Sequence, residues 1–434
     1  MKNINIIKKP QILSPFLYEL QERGYIHQST DLFGLNNYIL ENKKIIAYVG
    51  FDCTASSLHV GSLMQIMIMR KLQQHGHQPI IIFGGATTMI GDPSDKQEMR
   101  RMLSIEDIEN NKKSISKVFY NILKFDGSNP AIILDNREWL SSIGYIEMLR
   151  QCGKYLSVNR MLGFDSVKTR LEREQQLSFL EFNYMVLQAY DFVELYRRHK
   201  CILQFGGSEQ WGNIISGIDL GHKMMNIQLF GITTPLITTS DGKKMGKTAQ
   251  GAVWLNADML SPYDFWQFWR NTDDSDVEKF LKIYTDIPLE ECKLLGKLEG
   301  KEINDAKIIL ANAVTTICHG NKATEMAIQT ADNFFKNRIA GSGIKKITIF
   351  HNFQKESLFL YKLLVDCKLA KSNSSARQLI KGGGVSINDI IYKDEYYKIN
   401  KDLITKNDDN EIKIIIGKKN CIIIAFGNEI EISN

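Results

Sequence analysis

The stretch Y-V-G-F-D-C-T-A-S-S-L-H-V-G-S, residues 48–62, has the pattern of a strand that turns into a helix. An apolar run ends at Gly50, a carboxylate follows at Asp52, and the small hydroxyl residues Ser56 and Ser57 come next. Such residues are typical of helix N-caps, where free amide groups and the positive end of the helix dipole attract phosphate. The stretch therefore predicts a strand, a turn and a helix that together form a nucleotide site.

The predicted helix covers residues 57–75, and its first turn contains His59, Gly61 and Ser62. An imidazole in that position can reach a phosphate, and a glycine leaves room for a base or a ribose to lie close to the backbone. An H-x-G sequence also occurs by chance in many chains, so the alternative is an ordinary helix start with a solvated histidine. A second motif is needed to decide between the two.

That second motif is K-M-G-K-T at residues 244–248, which we call the lysine loop. Its ammonium groups, on Lys244 and Lys247, suit the negative charge that spreads over a phosphate in a transition state. An early H-x-G-[HS] with a late K-M-x-K-[ST] resembles the signature pair of the class I aminoacyl-tRNA synthetases. Many of those enzymes have a second histidine where this chain has Ser62, which leaves more of the phosphate contact to His59.

Length and composition indicate a soluble protein of several domains. The chain has 434 residues, so two or three domains are expected. Seven scattered cysteines form no C-x-x-C pair and have no histidine at metal-ligand spacing, which favours reduced thiols over a zinc site. No stretch of about 18 apolar residues occurs, and the N-terminus has no sustained apolar run. We therefore expect no membrane span and a cytoplasmic location.

Short apolar segments alternate with helical segments over the first 230 residues. Strands are predicted at 44–51, 79–84 and 131–135, and a first helix at 14–33. Continuous apolar runs that end in glycine are typical of buried parallel strands. The pattern predicts an α/β fold with a doubly wound, Rossmann-type parallel sheet, in which ligands bind at the carboxyl ends of strands.

The loop at residues 84–94 is rich in glycine and threonine and contains one acid, Asp92. This carboxylate can accept a hydrogen bond from the ammonium group of a ligand, although Asp-Pro-Ser is also an ordinary turn. Lys96 and Arg100 follow, four residues apart on a helical segment. They face either a triphosphate or solvent.

A helix predicted at 179–198 carries a polar stripe on an otherwise apolar surface. Tyr184, Gln188 and Asp191 fall at positions i, i+4 and i+7, so they share one face. The phenol and the amide can bind an α-ammonium group, and the carboxylate can accept from a phenolic hydroxyl. The alternative is that Asp191 is exposed and Tyr184 belongs to the core.

The sequence G-G-S-E-Q-W-G-N at residues 206–213 follows a strand predicted at 201–205. Glycines at a strand end, followed by a serine cap, form a second strand-to-helix junction suited to a nucleotide. This motif resembles one found in the bacterial tyrosyl-tRNA synthetases. The resemblance implies that the acid binds ribose hydroxyls and that the glutamine helps to hold the substrate. The chain has Glu209 where the family has aspartate, which moves the carboxylate by about 1.5 Å.

The last part of the chain reads as a helical region at 261–339, a linker at 340–343 and a basic C-terminal segment. Aromatic residues are dense at the start of the helical region, which favours core packing over a stacking surface. From Gly341 onward there are 15 Lys and Arg against 11 Asp and Glu. The pattern S-x-[ST]-x-A-R-x-L-I-x-x-G-x-V-x-[IV]-N resembles a ribosomal-protein RNA-binding module, and Lys371, Arg377 and Lys381 suit an RNA phosphate backbone. The alternative is a small α+β domain with a solvated basic face.

The resemblance to the bacterial tyrosyl-tRNA synthetase family covers nearly the whole chain. It implies a tyrosine-tRNA ligase that uses ATP with Mg²⁺, takes L-tyrosine and tRNA(Tyr) as substrates, and forms a homodimer through a connective insertion at about 125–185. The expected domains are a Rossmann-type catalytic domain at 1–240, the lysine loop with a helical anticodon-proximal domain at 241–340, and an α+β RNA-binding domain at 350–434.

These arguments assign candidate residues to three roles. Catalysis is assigned to Thr54, His59, Lys244 and Lys247. Tyrosine binding is assigned to Tyr48, Asp52, Asp92, Tyr184, Gln188, Asp191 and Gln210. ATP binding is assigned to Gly50, His59, Gly61, Ser62, Gly207, Glu209, Lys244, Met245 and Lys247.

Three rival functions remain at this point. A tryptophanyl-tRNA synthetase shares the expected fold, but Tyr48 paired with Asp191 favours a phenol over an indole. Another adenylate- or nucleotide-transferring enzyme explains the first half of the chain and leaves the RNA-binding module unexplained. A catalytically silent RNA-binding paralogue requires the loss of the lysine loop or of the acidic pocket, and both are present.

Overall fold

The computed structural model describes residues 13–92, 103–240, 242, 244–248, 251–332, 346–350, 358–388, 390–400, 403–404, 411–417 and 420–427. They group into two compact units. The first consists of the residues up to Leu260 together with Gln267–Gly320, and the second of Ser261–Trp266 together with the residues from Asn321 onward.

The first unit contains both helices and strands. Its helices are α1 Pro15–Arg23, α2 Leu32–Asn42, α3 Val60–Gln74, α4 Thr87–Ile90, α5 Ile105–Ile122, α6 Arg137–Leu140, α7 Tyr145–Gln151, α8 Val158–Leu162, α9 Asp165–Glu172, α10 Phe179–His199, α11 Trp211–Met225, α12 Pro262–Arg270 (which begins in the second unit), α13 Val277–Tyr284, α14 Leu289–Leu295 and α15 Ile303–His319. Its strands are β1 Gln28–Ser29, β2 Ile46–Phe51, β3 Gln78–Phe83, β4 Ile132–Asp135, β5 Leu203–Gly207, β6 Phe230–Thr234, β7 Lys247–Thr248 and β8 Gly251–Ala252. Short 3-10 helices lie at Gly153–Tyr155, Ser208–Gln210 and Asp274–Asp276.

A six-stranded sheet in the order β1-β6-β5-β2-β3-β4 forms the centre of this unit. All neighbours run parallel except β1, which is antiparallel to β6. From β2 the chain crosses to β3 and β4 on one side, and it then returns to β5 on the other side of β2. Such a reversal of strand order opens a crevice at the carboxyl ends of the two central strands. The doubly wound parallel sheet predicted from the sequence is confirmed.

Two predicted helices differ from the observed ones. The first ends at Gly24, whose φ of 80° requires a left-handed backbone, and β1 and α2 follow instead of a continuous helix to residue 33. The second, α3, begins at Val60 rather than at Ser56-Ser57, so His59 is its N-cap residue and lies outside its first turn. Ser57 does not cap this helix because its hydroxyl hydrogen-bonds Asn256. The other strands and helices quoted above for this unit lie within two residues of their predicted bounds.

Aromatic residues of α12 contribute to the core, as the sequence predicts. Trp269 is fully buried, and its ring lies 5.9 Å from that of Phe280 and 4.9 Å from that of Tyr284. Phe265 is also fully buried. These rings therefore do not form a stacking surface for nucleic acid.

The second unit has helices α16 Asn321–Asp332, α17 Leu360–Asp366 and α18 Asn373–Lys381. Its strands are β9 Lys346–Phe350, β10 Leu358–Phe359, β11 Val385–Ile387, β12 Ile390–Ile391, β13 Lys398–Ile399, β14 Glu411–Ile416 and β15 Asn420–Gly427. Five of these strands form a mixed sheet in the order β12-β11-β14-β15-β9. Leu363, Ile380 and Ile414 belong to the apolar cluster between helices and sheet. The predicted linker at 340–343 lies outside the described residues.

Within the described part of the chain, no helix is both long enough and apolar enough to span a bilayer.

Candidate active site

A cavity of about 540 Å³ opens at the carboxyl ends of β2 and β5, where the strand order reverses. Residues assigned from the sequence to tyrosine and to ATP converge on it from separate parts of the chain. Those that line it are Tyr48, Gly50, Asp52, Thr54, His59, Gly61, Ser62, Asp92, Tyr184, Gln188, Asp191, Gly207, Glu209, Gln210, Lys244 and Met245. The side chain of Lys247 lies outside the described residues, as do Lys96 and Arg100.

Asp191 on α10 is a buried carboxylate with two donors of its own. Asn136 Nδ2 donates to one carboxylate oxygen at 3.0 Å, and the indole Nε1 of Trp139 donates to the other at 2.7 Å. Burial raises the pKa of Asp191 to about 7, although both hydrogen bonds act to lower it. Each carboxylate oxygen keeps a further lone pair, so the group can accept a hydrogen bond from a ligand.

The hydroxyl of Tyr48 is a second polar group at this end of the cavity. Its ring packs edge-on against Phe192 at 5.2 Å, and its oxygen is buried with no hydrogen-bond partner among the described residues. Burial raises the pKa of this phenol, and the charge of Asp191 raises it further. The amide oxygens of Gln188 and Gln204 are likewise buried with no hydrogen-bond partner among the described residues. Buried polar atoms are nearly always hydrogen-bonded in proteins, so these three indicate a polar ligand.

A chain of hydrogen bonds runs from Asp191 to the neighbouring carboxylate Asp52. Asn136 Nδ2 lies 3.1 Å from Thr87 Oγ1, and Thr87 donates to Asp52 Oδ1 at 3.0 Å. The hydroxyl of Tyr184 donates to Asp52 Oδ2 at 3.2 Å. The two acids and the tyrosine are therefore held in one orientation before any ligand binds.

The Asp52 carboxylate and the Thr87 hydroxyl meet in space left by a glycine. A Cβ atom built on Gly84 would overlap both groups. Any other residue at this position would displace one of them, so the absence of a side chain is part of the network.

Asp92 and Gln210 form a second polar pair. Gln210 Nε2 donates to Asp92 Oδ2 at 2.7 Å, and Asn213 Nδ2 donates to Gln210 Oε1 at 3.0 Å. Because both ends of the amide are engaged, its orientation is fixed. Asp92 is buried and lines the cavity.

The opposite end of the cavity contains His59. Its Nδ1 accepts a hydrogen bond from the backbone amide of Gly61 at 3.0 Å, which leaves Nε2 as the donor of the neutral ring. A Cβ on Gly61 would lie 2.6 Å from the imidazole, and one on Gly246 would lie 2.9 Å from the Gly61 nitrogen. The lysine loop therefore packs its backbone directly on the turn that carries His59.

Backbone contacts also hold the first part of the lysine loop. Met245 N donates to Ile237 O at 2.8 Å, and Lys244 forms an antiparallel bridge with Thr238. Met245 is buried, whereas Thr54 and Glu209 are exposed. Open surface and cationic side chains characterise this end, in contrast to the closed end at Asp191.

The chain matches two family models in succession. Residues 40–336 match "tRNA synthetases class I (W and Y)", and residues 342–424 match "Tyrosine--tRNA ligase SYY-like C-terminal domain". A tyrosine-tRNA ligase of Bartonella quintana is 52% identical over 413 residues, which are 95% of this chain and 98% of the relative. That of Zymomonas mobilis is 52% identical over 418 residues, 96% of this chain and 100% of the relative. The chain belongs to the tyrosine-tRNA ligase family.

Solved structures support the same fold. The chain is similar to a C-terminally truncated mitochondrial tyrosyl-tRNA synthetase of Aspergillus nidulans, with a TM-score of 0.67, 28% identity, and coverage of 74% of this chain and 94% of that one. A Plasmodium falciparum tryptophanyl-tRNA synthetase is similar in fold alone, with a TM-score of 0.52, 13% identity, and coverage of 71% and 84%. Side chains in the cavity, not the fold, must therefore distinguish tyrosine from tryptophan.

The second unit carries the residues that sequence assigns to RNA in this tyrosine-tRNA ligase family member. Arg377 on α18 lies 5.4 Å from the ring centre of Tyr361 and 5.7 Å from that of Tyr396, and it donates to the Tyr396 hydroxyl at 3.2 Å. Lys371 and Lys381 are exposed. The guanidinium thus lies against two tyrosine rings, while the two lysine side chains are exposed.

Sequence reasoning missed the residues that hold the predicted ligand groups. Asn136 and Trp139 orient Asp191, and Thr87 orients Asp52. One signal was available: Asn136 directly follows the predicted strand at 131–135, and the carboxyl ends of parallel strands meet at the ligand crevice. Nothing in the local pattern marked Trp139 as a hydrogen-bond donor rather than a core residue.

Proposed function

We propose that this chain is a tyrosine-tRNA ligase that activates L-tyrosine with ATP, giving tyrosyl-adenylate and pyrophosphate, and then transfers the tyrosyl group to the terminal ribose of its tRNA. One observation carries the choice of amino acid. The Tyr48 hydroxyl and the Asp191 carboxylate are buried together at the closed end of the cavity, and both have capacity for one more hydrogen bond.

The phenol of the substrate would bind at this closed end. Asp191 accepts from the phenolic hydroxyl, and the Tyr48 hydroxyl donates to the phenolic oxygen. Phenylalanine would leave both buried groups unpaired, and rejection of an analogue that lacks the hydroxyl is known for tyrosyl-tRNA synthetases on this ground. An indole has one donor, its N–H group, which lies at a different position from a phenolic hydroxyl. Tryptophan therefore does not satisfy the hydrogen bonds of both Asp191 and Tyr48.

The amino-acid end of the substrate would lie among Asp92, Tyr184 and Gln188. The ammonium group meets the Asp92 carboxylate and the unpartnered Gln188 oxygen. Asp52 and Gln210, each fixed by hydrogen bonds, orient the substrate between these groups and the phosphate.

Adenylate formation requires no covalent nucleophile from the protein. The substrate carboxylate attacks the α-phosphate of ATP, and pyrophosphate leaves. His59 Nε2 and the ammonium groups of Lys244 and Lys247 stabilise charge on the phosphates, with Thr54 as a further donor. Residues that would hold the nucleotide are Gly50, Gly61, Ser62, Gly207, Glu209 and Met245.

We propose that Mg²⁺ enters with ATP, bound by its phosphates. Within the described residues, no group of three or more His, Cys, Asp or Glu side chains has the arrangement of a metal site. The side chains at the phosphate end are cationic or neutral, apart from Glu209, so they suit the anionic nucleotide rather than a bare cation. The ion would supply further neutralisation of the phosphate charge.

RNA binding is assigned to the second unit. Lys371, Arg377 and Lys381 would contact the phosphate backbone of the tRNA. The Lys381 ammonium lies 3.8 Å from Glu395, but the lysine side chain is 73% exposed, so this pair is weak enough to exchange for a phosphate.

We also propose a homodimer formed through the region at about 125–185. Large apolar side chains are unusually exposed there, and a contiguous exposed apolar surface is typical of an interface. They are Tyr145, Ile146, Leu149, Val158, Leu171, Phe179 and Leu180. Sedimentation of the purified protein tests this proposal: a monomer at micromolar concentration would contradict it.

Cytoplasmic location is the last part of the proposal. Cys53, Cys152, Cys201 and Cys318 are buried as thiols, as in a reducing compartment.

The decisive experiment is ATP–pyrophosphate exchange with each of the twenty amino acids in turn, without tRNA. Exchange with tyrosine alone is the expected result. Exchange with tryptophan instead would identify the rival synthetase. If no amino acid supports exchange while the protein still binds tRNA, the chain is a silent RNA-binding paralogue.

A further inference from the structure

The lysine loop and the histidine turn, which we define as residues 57–61, meet through their backbones. As described above, Gly246 lies against Gly61 with no room for a side chain. Val253, just beyond the loop, donates its amide to Gly246 O at 3.0 Å and accepts from Val60 N at 2.9 Å. The chain that leaves the lysine loop is therefore hydrogen-bonded both to the loop and to the histidine turn.

This contact continues for the next two residues. Trp254 forms an antiparallel bridge with His59, and Leu255 N donates to Leu58 O at 2.9 Å. Residues 253–255 thus form a short ladder alongside the histidine turn. A shift of this ladder by one residue would move the lysine loop relative to His59 by about 3.3 Å.

A polar cluster of the buried Ser57 and Asn256 with the half-buried Ser114, which we call the clasp, closes the end of the ladder. Asn256 N donates to Ser57 Oγ at 3.0 Å, and the Asn256 Oδ1 atom lies 2.8 Å from that hydroxyl. Asn256 Nδ2 donates to the backbone oxygen of Ser114 at 2.9 Å and lies 3.2 Å from its hydroxyl. The clasp joins the histidine turn, the loop exit and α5.

The residue types in the clasp indicate that it fixes the register of the three segments rather than only holding them together. Asn256 is 5% exposed and Ser57 is 3% exposed, so both are removed from water, and the Ser57 hydroxyl lies 2.8 Å from Leu58 O as well as from Asn256 Oδ1. Apolar residues of similar size would hold three segments together without a preferred register. Hydrogen bonds from an asparagine fix direction and register, and a buried group that loses its partner is strongly disfavoured.

We propose that Asn256 is a positioning residue for adenylate formation, a role that rests on the proposed function. By holding residues 253–255 in register with the histidine turn, it sets Lys244 and His59 on the same phosphate. Asn256 itself is not among the residues that line the cavity and touches no substrate. Small displacements of groups that stabilise a transition state reduce rate steeply, so its effect falls on kcat.

Kinetics of tyrosine-dependent ATP–pyrophosphate exchange provide the first test. Asn256→Ala should lower kcat by about tenfold and leave the KM for tyrosine unchanged. Ser57→Ala removes the other half of the clasp at a residue that also lines the cavity, so it should lower kcat at least as much. Asn271→Ala is the matched control, because Asn271 is exposed and its amide bonds only Gln267 one turn away.

A double variant separates positioning from general weakening of the fold. If Asn256 acts by aligning Lys244, adding Asn256→Ala to Lys244→Ala should cost little further activity, because the aligned group is already gone. Equal losses in the wild-type and Lys244→Ala backgrounds would overturn the proposal. So would a wild-type kcat in the Asn256→Ala variant.

Hydrogen exchange on the free protein tests the same inference without any activity. Asn256→Ala should speed amide exchange in peptides that cover 57–61 and 244–255, while β3 at Gln78–Phe83 remains protected. Unchanged protection at 57–61 and 244–255 contradicts the inference. A wild-type protein that shows no exchange of pyrophosphate with any amino acid contradicts the proposed function instead, and the protection measurement still decides the role of the clasp in alignment.

Discussion

At the Asp191 end of the cavity the polar groups are buried side chains held by buried neighbours, whereas at the His59 end they are half-buried or exposed side chains set on backbone turns. In the proposed function, Asp191 and Tyr48 select one small hydroxyl from water and from other amino acids. His59 and Lys244, in the same proposal, admit a large polyanion, stabilise its charge and allow pyrophosphate to leave.

The difference shows two ways to make a site specific. The closed end uses desolvation: a wrong ligand leaves buried groups unpaired, and that penalty is large in a dry environment. The open end uses placement, because exposed charges are screened and act strongly only where geometry brings several onto one phosphate. Substitutions at the closed end should therefore change tyrosine affinity, and those at the open end should change rate.

The largest effect is expected for Asp191→Ala. It removes the acceptor for the phenol and leaves Asn136 and Trp139 as buried donors without their partner. The Kd for tyrosine, measured by equilibrium dialysis without ATP, should rise about 10³-fold, which corresponds to roughly 4 kcal/mol. The KM for ATP should change by less than about twofold, because the open end is untouched. Asp126→Ala, at an exposed aspartate, is the control. Comparable losses of affinity for tyrosine and for ATP in Asp191→Ala would contradict the division between the two ends.

Lys244→Ala should have the next largest effect, and on rate alone. Loss of one charge-stabilising group at a transferring phosphate should lower kcat for pyrophosphate exchange about 10²-fold. Tyrosine affinity measured without ATP should stay at the wild-type value, as should both quantities in the control Lys297→Ala. A weakened tyrosine Kd in Lys244→Ala would show that the open end also shapes the closed one.

A dependence of tyrosine affinity on pH should be smaller. Burial raises the pKa of Asp191 to about 7 in the free protein, so the carboxylate that accepts from the phenol is lost as the pH falls through 7. The Kd for tyrosine should rise about tenfold between pH 8 and pH 6. Asp191→Asn, which cannot ionise, should bind weakly and without this dependence. A level wild-type curve over the same window would contradict the raised pKa of Asp191.

The same pKa makes a prediction about folding with the opposite sign. Because the folded-state pKa lies above the ordinary value of 3.8, the contribution of Asp191 to stability is fully present at low pH and is lost as the pH rises through 7. Tyrosine binding therefore favours the charged form that the empty fold disfavours.

The smallest effect is expected for Tyr48→Phe. The substitution keeps the ring that packs on Phe192 and removes one donor to the substrate. It also removes a buried hydroxyl that has no partner in the empty cavity, so the loss should be only about fivefold in the Kd for tyrosine, near 1 kcal/mol. Tyr120→Phe, at an exposed phenol, should match the wild type. A loss of tyrosine affinity above 10²-fold in Tyr48→Phe would mean that Tyr48 and Asp191 are coupled more tightly than the hydrogen bonds indicate.

Much of the open end could be predicted from sequence, because it depends on local motifs. The H-x-G turn, the lysine loop and the G-G-S-E-Q junction each specify a backbone shape through glycine and cap residues close together in the chain. The packing of His59 against Gly246 depends on residues that are far apart in the chain. So does the displacement of the start of α3 from Ser57 to Val60. Ser57 favours a cap by propensity, but its hydrogen bond to Asn256, 199 residues later, prevails.

The closed end was predictable only in part. Helical spacing places Tyr184, Gln188 and Asp191 on one face of α10. It gives no information on Asn136 and Trp139, which come from the loop and the short helix after β4 and approach that face only in the folded sheet. Periodicity identifies which residues share a face; it does not identify what the face meets.

Gly84 has a consequence for anyone who surveys this protein by saturation mutagenesis. Every amino-acid replacement at that position adds at least one carbon where the Asp52 carboxylate and the Thr87 hydroxyl already meet. Selection for activity should therefore reject all replacements, and the position would score as sensitively as a residue that grips the substrate. The origin of that intolerance is the crowding of Asp52 and Thr87, so a sensitivity map alone would not separate the support of a binding residue from contact with the ligand.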